Sequence, residues 1–271
     1  MLKVENLNKE MKNFKLNNIN FDLKDGSIMG FIGSNGAGKS TTIRAILDLT
    51  PRDSGNVIYF GDKTLNKKVK EEIGIVFEEC YYANMMTASG INRMCKGIYS
   101  NWDENKFFNY LKEFGLKEKQ EIKEYSKGMT MKISIAVALS HNPKLLILDE
   151  ALNGLDLNTR MSLIELFADF VKDKDKSILI SSHIISDLEK LCDCITYIDN
   201  GNILFSEDKE DLLSRYACIK CNKNELFKYK EFPNYSIRDD SYILVPSNTN
   251  FDNARPATIE DIILISNGNL F

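Results

Sequence analysis

The segment Gly33-Ser34-Asn35-Gly36-Ala37-Gly38-Lys39-Ser40 decides the fold of this chain. It fills every fixed position of the pattern GxxxxGK[ST], after an apolar strand at 28–32 and before a helical pattern at 41–49. Glycines let successive backbone N–H groups curl around an anion, and the start of a helix adds its positive dipole end. The segment therefore predicts a phosphate-binding loop, in which Lys39 reaches the β- and γ-phosphates of a nucleotide and the Ser40 hydroxyl binds Mg²⁺.

A second motif lies where the apolar run 145–148 ends in two carboxylates, Asp149 and Glu150. Next to a phosphate loop, Asp149 is expected to hold Mg²⁺, normally through water, and Glu150 is expected to polarise the attacking water as general base. Taken alone, the pair could be a solvated strand end. The presence of the phosphate loop favours catalysis.

Hydrophobic patterning predicts an α/β fold with a mixed sheet. Residues 2–7 and 19–23 alternate apolar and polar positions, which is typical of half-buried antiparallel strands. Residues 145–148 and 178–180 are continuous apolar runs that flank a helical pattern at 158–171. Such runs indicate parallel strands that are covered on both faces.

The chain is predicted to divide into a main domain at 1–215 and a small α+β unit at 216–271. The second part contains short strand patterns and a helix that begins at a Thr258 cap. Phe107 and Phe108 are among the apolar residues at helical spacing in the first part, where a helical subdomain is expected at about 83–140.

Composition limits the classes of protein that the chain can belong to. Its 271 residues are 43% hydrophobic and 27% charged, which suits one or two folded domains. The net charge of -4 provides no overall basic field, so no nucleic acid partner is expected. The N-terminus lacks the apolar core of a secretory signal, and no run reaches the roughly 18 apolar residues of a membrane span. A cytoplasmic protein is therefore expected.

Two close cysteine pairs, Cys192/Cys194 and Cys218/Cys221, raise the possibility of a zinc site. The first pair lies in an apolar stretch, where buried free thiols are common. Free thiols are the favoured interpretation, and zinc remains the alternative.

Three further segments make the sequence resemble the ATP-binding cassette (ABC) ATPases over residues 1–215. Tyr125-Ser126-Lys127-Gly128-Met129 stands where that family has its LSGGQ signature. Asn153-Gly154-Leu155-Asp156 is similar to the D-loop, and Ser181-Ser182-His183 is similar to the switch histidine segment. The order and spacing of the whole set carry the resemblance.

The resemblance implies a P-loop NTPase fold of ABC type, with an antiparallel β-subdomain and a helical insert. It implies that His183 binds the γ-phosphate and positions the water, and that Asp156 organises a dimer interface, although Asp156 could also be a simple helix cap. Ser126 and Gly128 would contact the γ-phosphate held by the opposite subunit. The residues implied in ATP binding are Met11, Phe14, Gly33, Ser34, Asn35, Gly36, Ala37, Gly38, Lys39, Ser40, Thr41, Ser126, Lys127, Gly128 and Asp156.

Four residues, in three motifs, depart from the family pattern. Glu78 replaces the Q-loop glutamine, and as a carboxylate it is still expected to be a Mg²⁺ ligand beside Ser40 and Asp149. Lys127 and Met129 replace a glycine and a glutamine of the signature. Met11, with Phe14 nearby, takes the place of the aromatic that stacks on adenine, and methionine is a soft apolar platform.

Among ABC proteins, the sequence is most similar to the separate ATPase subunits of bacterial antibiotic or multidrug exporters. That resemblance implies a head-to-tail dimer with a second copy or a homologous subunit, and a separate membrane permease that holds the protein on the inner face of the membrane. Trp102, Phe107 and Phe108 could contact the permease, but the internal core of the helical subdomain is the favoured role for them. The alternative function is a soluble ATP-sensing or resistance module.

Overall fold

In the part of the chain that the computed structural model describes, residues 1–237, 239–249, 251 and 253–266, the strands form three sheets. The strands are β1 (Leu2–Met11), β2 (Phe14–Leu23), β3 (Ile28–Ile32), β4 (Ser54–Tyr59), β5 (Ile73–Val76), β6 (Leu145–Asp149), β7 (Ser177–Ser182), β8 (Cys194–Asp199), β9 (Asn202–Asp208), β10 (Tyr216–Asn222), β11 (Asn234–Ile237), β12 (Asp240–Pro246) and β13 (Ala254–Pro256). The α-helices are α1 (Lys39–Ile46), α2 (Lys67–Glu71), α3 (Ala88–Ile98), α4 (Glu104–Glu113), α5 (Lys127–Ser140), α6 (Leu157–Phe170), α7 (Ile185–Leu191), α8 (Lys209–Ser214) and α9 (Ile259–Ser266), with short 3-10 helices at Ile122–Glu124 and Lys223–Tyr229.

The central sheet has the strand order β5-β6-β7-β3-β8-β9, and only β9 runs antiparallel to its neighbour among the described strands. Asp149 at the end of β6 lies opposite Ser181 of β7, and Ile32 at the end of β3 lies opposite Ser182. Parallel strands share a carboxyl edge. The phosphate loop, the Asp-Glu pair and His183 therefore meet at the same edge, and the predicted α/β fold with parallel β6 and β7 is confirmed.

The second sheet has the order β2-β1-β4 and is antiparallel, with Leu2 opposite Leu23 and opposite Tyr59 on its other side. Its buried side chains pack into one cluster with Phe31 of β3 and Ile43 of α1. The alternating pattern predicted the antiparallel strands β1 and β2, which extend beyond the predicted 2–7 and 19–23, and the shared cluster fixes both strands beside the phosphate loop.

Helix α1 starts two residues earlier than the helical pattern predicts, at Lys39. The reason is that the phosphate loop itself closes onto the helix, because the Thr42 N–H donates to the Gly38 carbonyl at 2.8 Å. The helix ends at Ile46, and Asp48 shortly afterwards adopts a φ of +54°. The last predicted turn is therefore a loop.

Helices α3, α4 and α5 form a helical unit with its own hydrophobic cluster, which includes Ile91, Phe107 and Ile133. Phe107 is fully buried, Phe108 and Trp102 pack partly buried against the same cluster, and the Trp102 indole donates to the Asn92 side-chain oxygen at 2.8 Å. These aromatic residues therefore serve as the internal core of the helical unit, as the favoured interpretation predicts.

The C-terminal unit has a sheet of order β11-β12-β10-β13, and its helix α9 packs against α7 of the main domain. Ile259 and Ile262 of α9 belong to the same buried cluster as Leu188 of α7, and the Ile259 N–H donates to a Glu189 carboxylate oxygen at 3.3 Å. Strands β9 and β10, which lie on either side of residue 215, thus belong to two different sheets that are joined by one hydrophobic core.

All six cysteines are free, and Cys192, at the end of α7, is buried. Burial raises the pKa of Cys194 to about 12 and that of Cys218 to about 11, which favours the protonated thiols. Across the described residues, no group of three or more His, Cys, Asp or Glu side chains is placed to hold a metal ion. In the same residues, every helix is too short or too polar to cross a lipid bilayer.

Asp261 is the centre of a buried hydrogen-bond network in the C-terminal unit. Its carboxylate accepts two hydrogen bonds from Arg255 at 2.7 and 3.0 Å, one from the Tyr235 hydroxyl at 3.1 Å, and two from Thr258 at 2.8 Å. Burial by itself raises the pKa of Asp261, but the hydrogen bonds outweigh it and lower the pKa from 3.8 to about 2. The ionised carboxylate therefore stabilises the fold above its ordinary pKa, and this stabilisation is lost as the pH falls toward 2.

We expect Asp261→Asn to reduce the free energy of unfolding by about 2 kcal/mol at pH 7, because each unit of pKa shift corresponds to about 1.4 kcal/mol. Urea unfolding at pH 7 and at pH 2 measures the effect, and the difference from the wild type should shrink strongly at pH 2. Asp240→Asn is the control, since Asp240 is a partly exposed carboxylate that pairs with Lys220 at 2.6 Å. Equal losses for the two variants at pH 7 would contradict the assignment.

Candidate active site

The phosphate loop wraps from the end of β3 onto α1 in a conformation that requires glycine. Gly36 and Gly38 have φ values of +84° and +117°, a region that residues with a Cβ adopt only with strain. The Lys39 ammonium donates to the Gly33 and Ser34 carbonyls at 2.7 and 3.2 Å, so its side chain folds back over the loop. The loop thus holds one buried cation, Lys39, against its own backbone.

Asp149 lies at the end of β6, directly behind the start of α1. Its Oδ1 accepts hydrogen bonds from Ser40 Oγ at 3.1 Å and from Ser181 Oγ at 2.7 Å. Burial raises the pKa of Asp149 above 3.8, although these two hydroxyl groups oppose the shift. A nearby cation would favour the charged carboxylate, so the oxygens of Ser40 and Asp149 suit a divalent metal ion.

Glu150 is buried, and its backbone is held in an unusual conformation with a φ of +53°. Its N–H donates to Ser181 Oγ at 3.0 Å, which fixes this turn against β7. Its Oε1 forms a buried ion pair with the Lys39 ammonium at 2.9 Å. Strained non-glycine residues persist where the surrounding structure holds them, and they are concentrated at functional sites.

The other carboxylate oxygen of Glu150 faces two nitrogen-bearing side chains. Asn153 Nδ2 donates to Oε2 at 2.5 Å, and His183 Nδ1 lies 3.1 Å from the same oxygen. His183 immediately follows β7, and its side chain is 42% exposed. The predicted base and the predicted switch histidine are therefore in direct contact.

A cleft of about 600 Å³ brings most of the predicted site together at this edge of the sheet. The phosphate loop forms its floor, and Met11 and Phe14 lie at the junction of β1 and β2. Gly33, Ser34 and Ala37 belong to the same loop without lining the cleft, and Asp149 is buried behind Ser40. The lining residues are Met11, Asn13, Phe14, Asn35, Gly36, Gly38, Lys39, Ser40, Thr41, Glu78, Glu150, Asn153 and His183.

Two of these lining residues receive no role from the sequence: Asn13 is not singled out, and Asn153 is quoted as part of the D-loop segment without a role of its own. Asn153 could have been found, because a residue three positions after Glu150 in a turn comes back beside it, and the Asn153 N–H does donate to the Glu150 carbonyl at 3.1 Å. Asn13 lies between Met11 and Phe14 in the β1–β2 turn. The turn that brings Met11 and Phe14 to the cleft therefore also brings Asn13 there.

Ser126, Lys127 and Gly128 of the signature segment and Asp156 of the D-loop lie outside this cleft, at the starts of two helices. Ser126 Oγ accepts the Met129 N–H at 3.3 Å and caps α5, and Asp156 accepts the Thr159 N–H at 3.0 Å and caps α6. The helix-cap role considered for Asp156 is therefore present. Both caps leave a helix N-terminus, with its positive dipole end, at the molecular surface.

Lys127 and Glu78, two departures from the family pattern, face one another. The Lys127 ammonium is 3.5 Å from Glu78 Oε1, and both side chains are about half exposed. Glu78 also lines the cleft. The pair therefore connects the start of α5 to the rim of the phosphate site.

Comparison with known proteins agrees with this arrangement. Residues 16–153 match the family model described as ABC transporter, which covers the phosphate loop, the signature segment and the Asp-Glu pair. The chain belongs to the ABC transporter family. As an ABC ATPase it binds ATP and hydrolyses it to drive transport, and the predictions of family, fold and ATPase activity are confirmed.

The curated relatives of this ABC ATPase include proteins named for antibiotic transport or resistance. The lantibiotic transport ATP-binding protein SrtF of Streptococcus pyogenes is 34% identical over 211 residues, which cover 77% of this chain and 91% of that protein. The linearmycin resistance ATP-binding protein LnrL of Bacillus subtilis is 36% identical over 225 residues, with 79% and 71% covered. The bacitracin transport ATP-binding protein BcrA of Bacillus licheniformis is 37% identical over 196 residues, with 70% and 63% covered.

Solved structures share the fold. The ATP-binding subunit of an ABC transporter superimposes with a TM-score of 0.72 at 26% identity, over 78% of this chain and 91% of that one. A dimeric ATP-binding cassette in a post-hydrolysis state, bound to ADP and Pi, superimposes with a TM-score of 0.68 at 22% identity, over 77% of this chain and 98% of that one.

Proposed function

We propose that this ABC ATPase powers an exporter of antibiotic or multidrug type, bound to a separate permease on the inner face of the membrane. The observation that carries the proposal is the single cleft in which the phosphate loop, Glu150 and His183 converge. The export of antibiotic-type compounds is supported by relatives whose names refer to lantibiotic and bacitracin transport and to linearmycin resistance.

The chemistry of the cleft supports ATP with Mg²⁺ as its ligands. At Gly36 the direction that a Cβ would take is open, so the loop backbone is accessible to phosphate oxygens. Ser40, Asp149 and Glu78 supply the oxygen ligands that Mg²⁺ prefers, and Mg²⁺ would neutralise developing charge on the phosphates. Met11 and Phe14 offer the adenine an apolar platform at the mouth of the cleft.

Hydrolysis in this proposal depends on an exchange of partners by Lys39. In the structure, Lys39 binds Glu150, whereas a γ-phosphate would offer this cation a more highly charged partner. Glu150 Oε1 then accepts a proton from water as the water oxygen bonds to the γ-phosphorus. The bond to the β-phosphate breaks with its electron pair going to ADP, and His183 holds the γ-phosphate oxygens.

The starts of α5 and α6 are proposed to complete the ATP site of a second subunit. Ser126 and Gly128 would present a hydroxyl and a backbone N–H to the partner's γ-phosphate, aided by the dipole of α5. Lys127 would leave Glu78 to reach the same phosphate, and Asp156 would organise the contact between subunits. The dimeric cassettes among the structural neighbours support a head-to-tail arrangement.

An exposed apolar groove of about 370 Å³ is the proposed contact with the permease. It lies between the main domain and the helical unit, and Leu49, Ile75 and Ile98 contribute exposed apolar side chains to it. We assign the cassette to residues 1–215, with the helical subdomain at 83–140, and the accessory unit to residues 216–271. The groove suits an apolar helix from the membrane protein, because such a helix buries its own apolar face there.

We expect Ile98→Glu to reduce retention of the permease by about tenfold or more, because a charge in a desolvated apolar contact is costly. The chain would be co-expressed with a candidate permease and purified in mild detergent, and the co-purified permease would be quantified. Phe227→Glu is the matched control, since Phe227 is an exposed aromatic residue of the C-terminal unit. The ATPase rate of the isolated chain should stay within about twofold in both variants.

Equal retention by Ile98→Glu and the wild type would exclude this groove as the docking surface. ATP hydrolysis by a wild-type chain that associates with no membrane protein would instead support the soluble ATP-sensing or resistance module.

A further inference from the structure

Asn153 lies between the two groups on which the hydrolysis proposal depends. It follows β6 in the tight turn that Glu150 opens, and it is buried at the wall of the cleft. Its Nδ2 is 2.5 Å from Glu150 Oε2 and 3.3 Å from His183 Nδ1. The side chain therefore contacts the proposed base and the switch histidine at once.

The opposite end of the same amide has no structural partner. Asn153 Oδ1 is buried, yet it finds no hydrogen-bond donor among the described residues. A buried acceptor without a partner costs stability, so fold stability alone does not account for an amide at this position. The contacts of Nδ2 with Glu150 and His183 do account for it.

The three partners of Glu150 differ in how a nucleotide would affect them. Lys39, on Oε1, is a cation that a γ-phosphate attracts strongly, and His183 is half exposed and free to turn toward the same phosphate. The Asn153 amide is uncharged, and a hydrogen bond from the Asn153 backbone N–H to the Glu150 carbonyl holds the two residues together in the turn. Of these partners, Asn153 is the one that stays on Glu150 when ATP binds.

We propose that Asn153 is a positioning residue for hydrolysis: it anchors Oε2 of Glu150, so that Oε1, released by Lys39, faces the attacking water. This inference rests on the proposed role of Glu150 as general base. It assigns different tasks to the two carboxylate oxygens, one as anchor and one as proton acceptor.

Asn153→Ala removes the hydrogen bond to Glu150 Oε2 and so tests the positioning role. We expect kcat for ATP hydrolysis to fall about tenfold or more, because an unanchored carboxylate is rarely aligned with the water. The affinity for ATP should stay within about twofold, since Asn153 is not used to hold the phosphates. Asn105→Ala, at an exposed position on α4, is the matched control and should keep the wild-type kcat. Thermal unfolding of both variants shows whether they are folded.

Asn153→Asp provides a readout that a merely structural role would not move. It keeps the size and shape of the side chain but replaces the Nδ2 donor by a carboxylate oxygen, which cannot donate to Glu150 Oε2. We therefore expect kcat to fall about as far as in Asn153→Ala, while the thermal unfolding of the variant stays close to that of the wild type. A wild-type kcat in Asn153→Ala or in Asn153→Asp would overturn the proposal. Glu150→Gln, measured in the same assays, separates the two proposals. If it abolishes turnover while the Asn153 variants behave as the wild type, the positioning role of Asn153 is rejected and the role of Glu150 as general base is kept.

Discussion

Replacing Glu150 by Gln is expected to slow ATP hydrolysis by about a thousandfold while ATP binding is kept. Glutamine preserves the size of the side chain but cannot accept a proton from the attacking water. The phosphate loop and Lys39 are unchanged, so ATP still enters the cleft. Because bound ATP is then not consumed, the variant should accumulate as a dimer with ATP held between subunits.

Release of phosphate measures the rate, and light scattering during size-exclusion chromatography measures the dimer, with ADP in place of ATP as the comparison. Glu113→Gln, an exposed residue on α4, controls for the loss of one negative charge and should hydrolyse ATP normally. Normal turnover in Glu150→Gln would remove the assignment of Glu150 as general base.

Lys39→Ala is expected to weaken ATP binding by about a hundredfold, which corresponds to about 2.8 kcal/mol. Lys39 is the buried cation of the phosphate loop, and its ammonium lies next to the carbonyls of Gly33 and Ser34. Without it, the triphosphate loses a charge-assisted contact. Hydrolysis should fall with binding.

The variant also leaves Glu150 without its cation, and a buried unpaired carboxylate could itself repel ATP. The double variant Lys39→Ala/Glu150→Gln separates these effects, because its cleft contains neither charge. We expect fluorescent-nucleotide binding to remain weak in the double variant. Affinity restored to that of Glu150→Gln would show that the defect arose from the unpaired carboxylate and not from the lost phosphate contact.

Local signals were sufficient where one short segment determines the structure. The glycines and Lys39 of the phosphate loop predicted a strand-loop-helix unit, and the apolar run ending at Asp149 predicted a buried parallel strand. The reason is physical: a loop around an anion requires glycine, and a strand covered on both faces requires continuous apolar residues. These segments predicted the strands and the loop that meet at one edge of the sheet.

The sequence analysis did not predict the hairpin of β8 and β9, although an Asn-Gly pair at its turn is a known hairpin signal. Asn200 and Gly201 both adopt positive φ, +44° and +75°, as expected for an Asn-Gly hairpin turn. The division at residue 215 likewise reflected a change in strand pattern, whereas the packing of α9 against α7 depends on tertiary contacts that no local pattern records.

Long-range side-chain contacts also could not be predicted from the sequence. Lys39 with Glu150, and Lys127 with Glu78, pair across more than forty positions of the chain. Which charged groups meet depends on the orientation of each helix start relative to the sheet, and every one of these side chains has several possible partners. The charge of each side chain can be read from the sequence, but its partner depends on the fold.

The hydrophobic core shared by α7 and α9 joins the segment that follows His183 to the C-terminal unit. Helix α7 begins two residues after His183, and apolar side chains of α9 pack against it. If His183 moves toward a bound phosphate and shifts α7, the C-terminal unit has to move with the helix, or apolar surface becomes exposed to water. In that case, the position of the C-terminal sheet would depend on whether a nucleotide is bound.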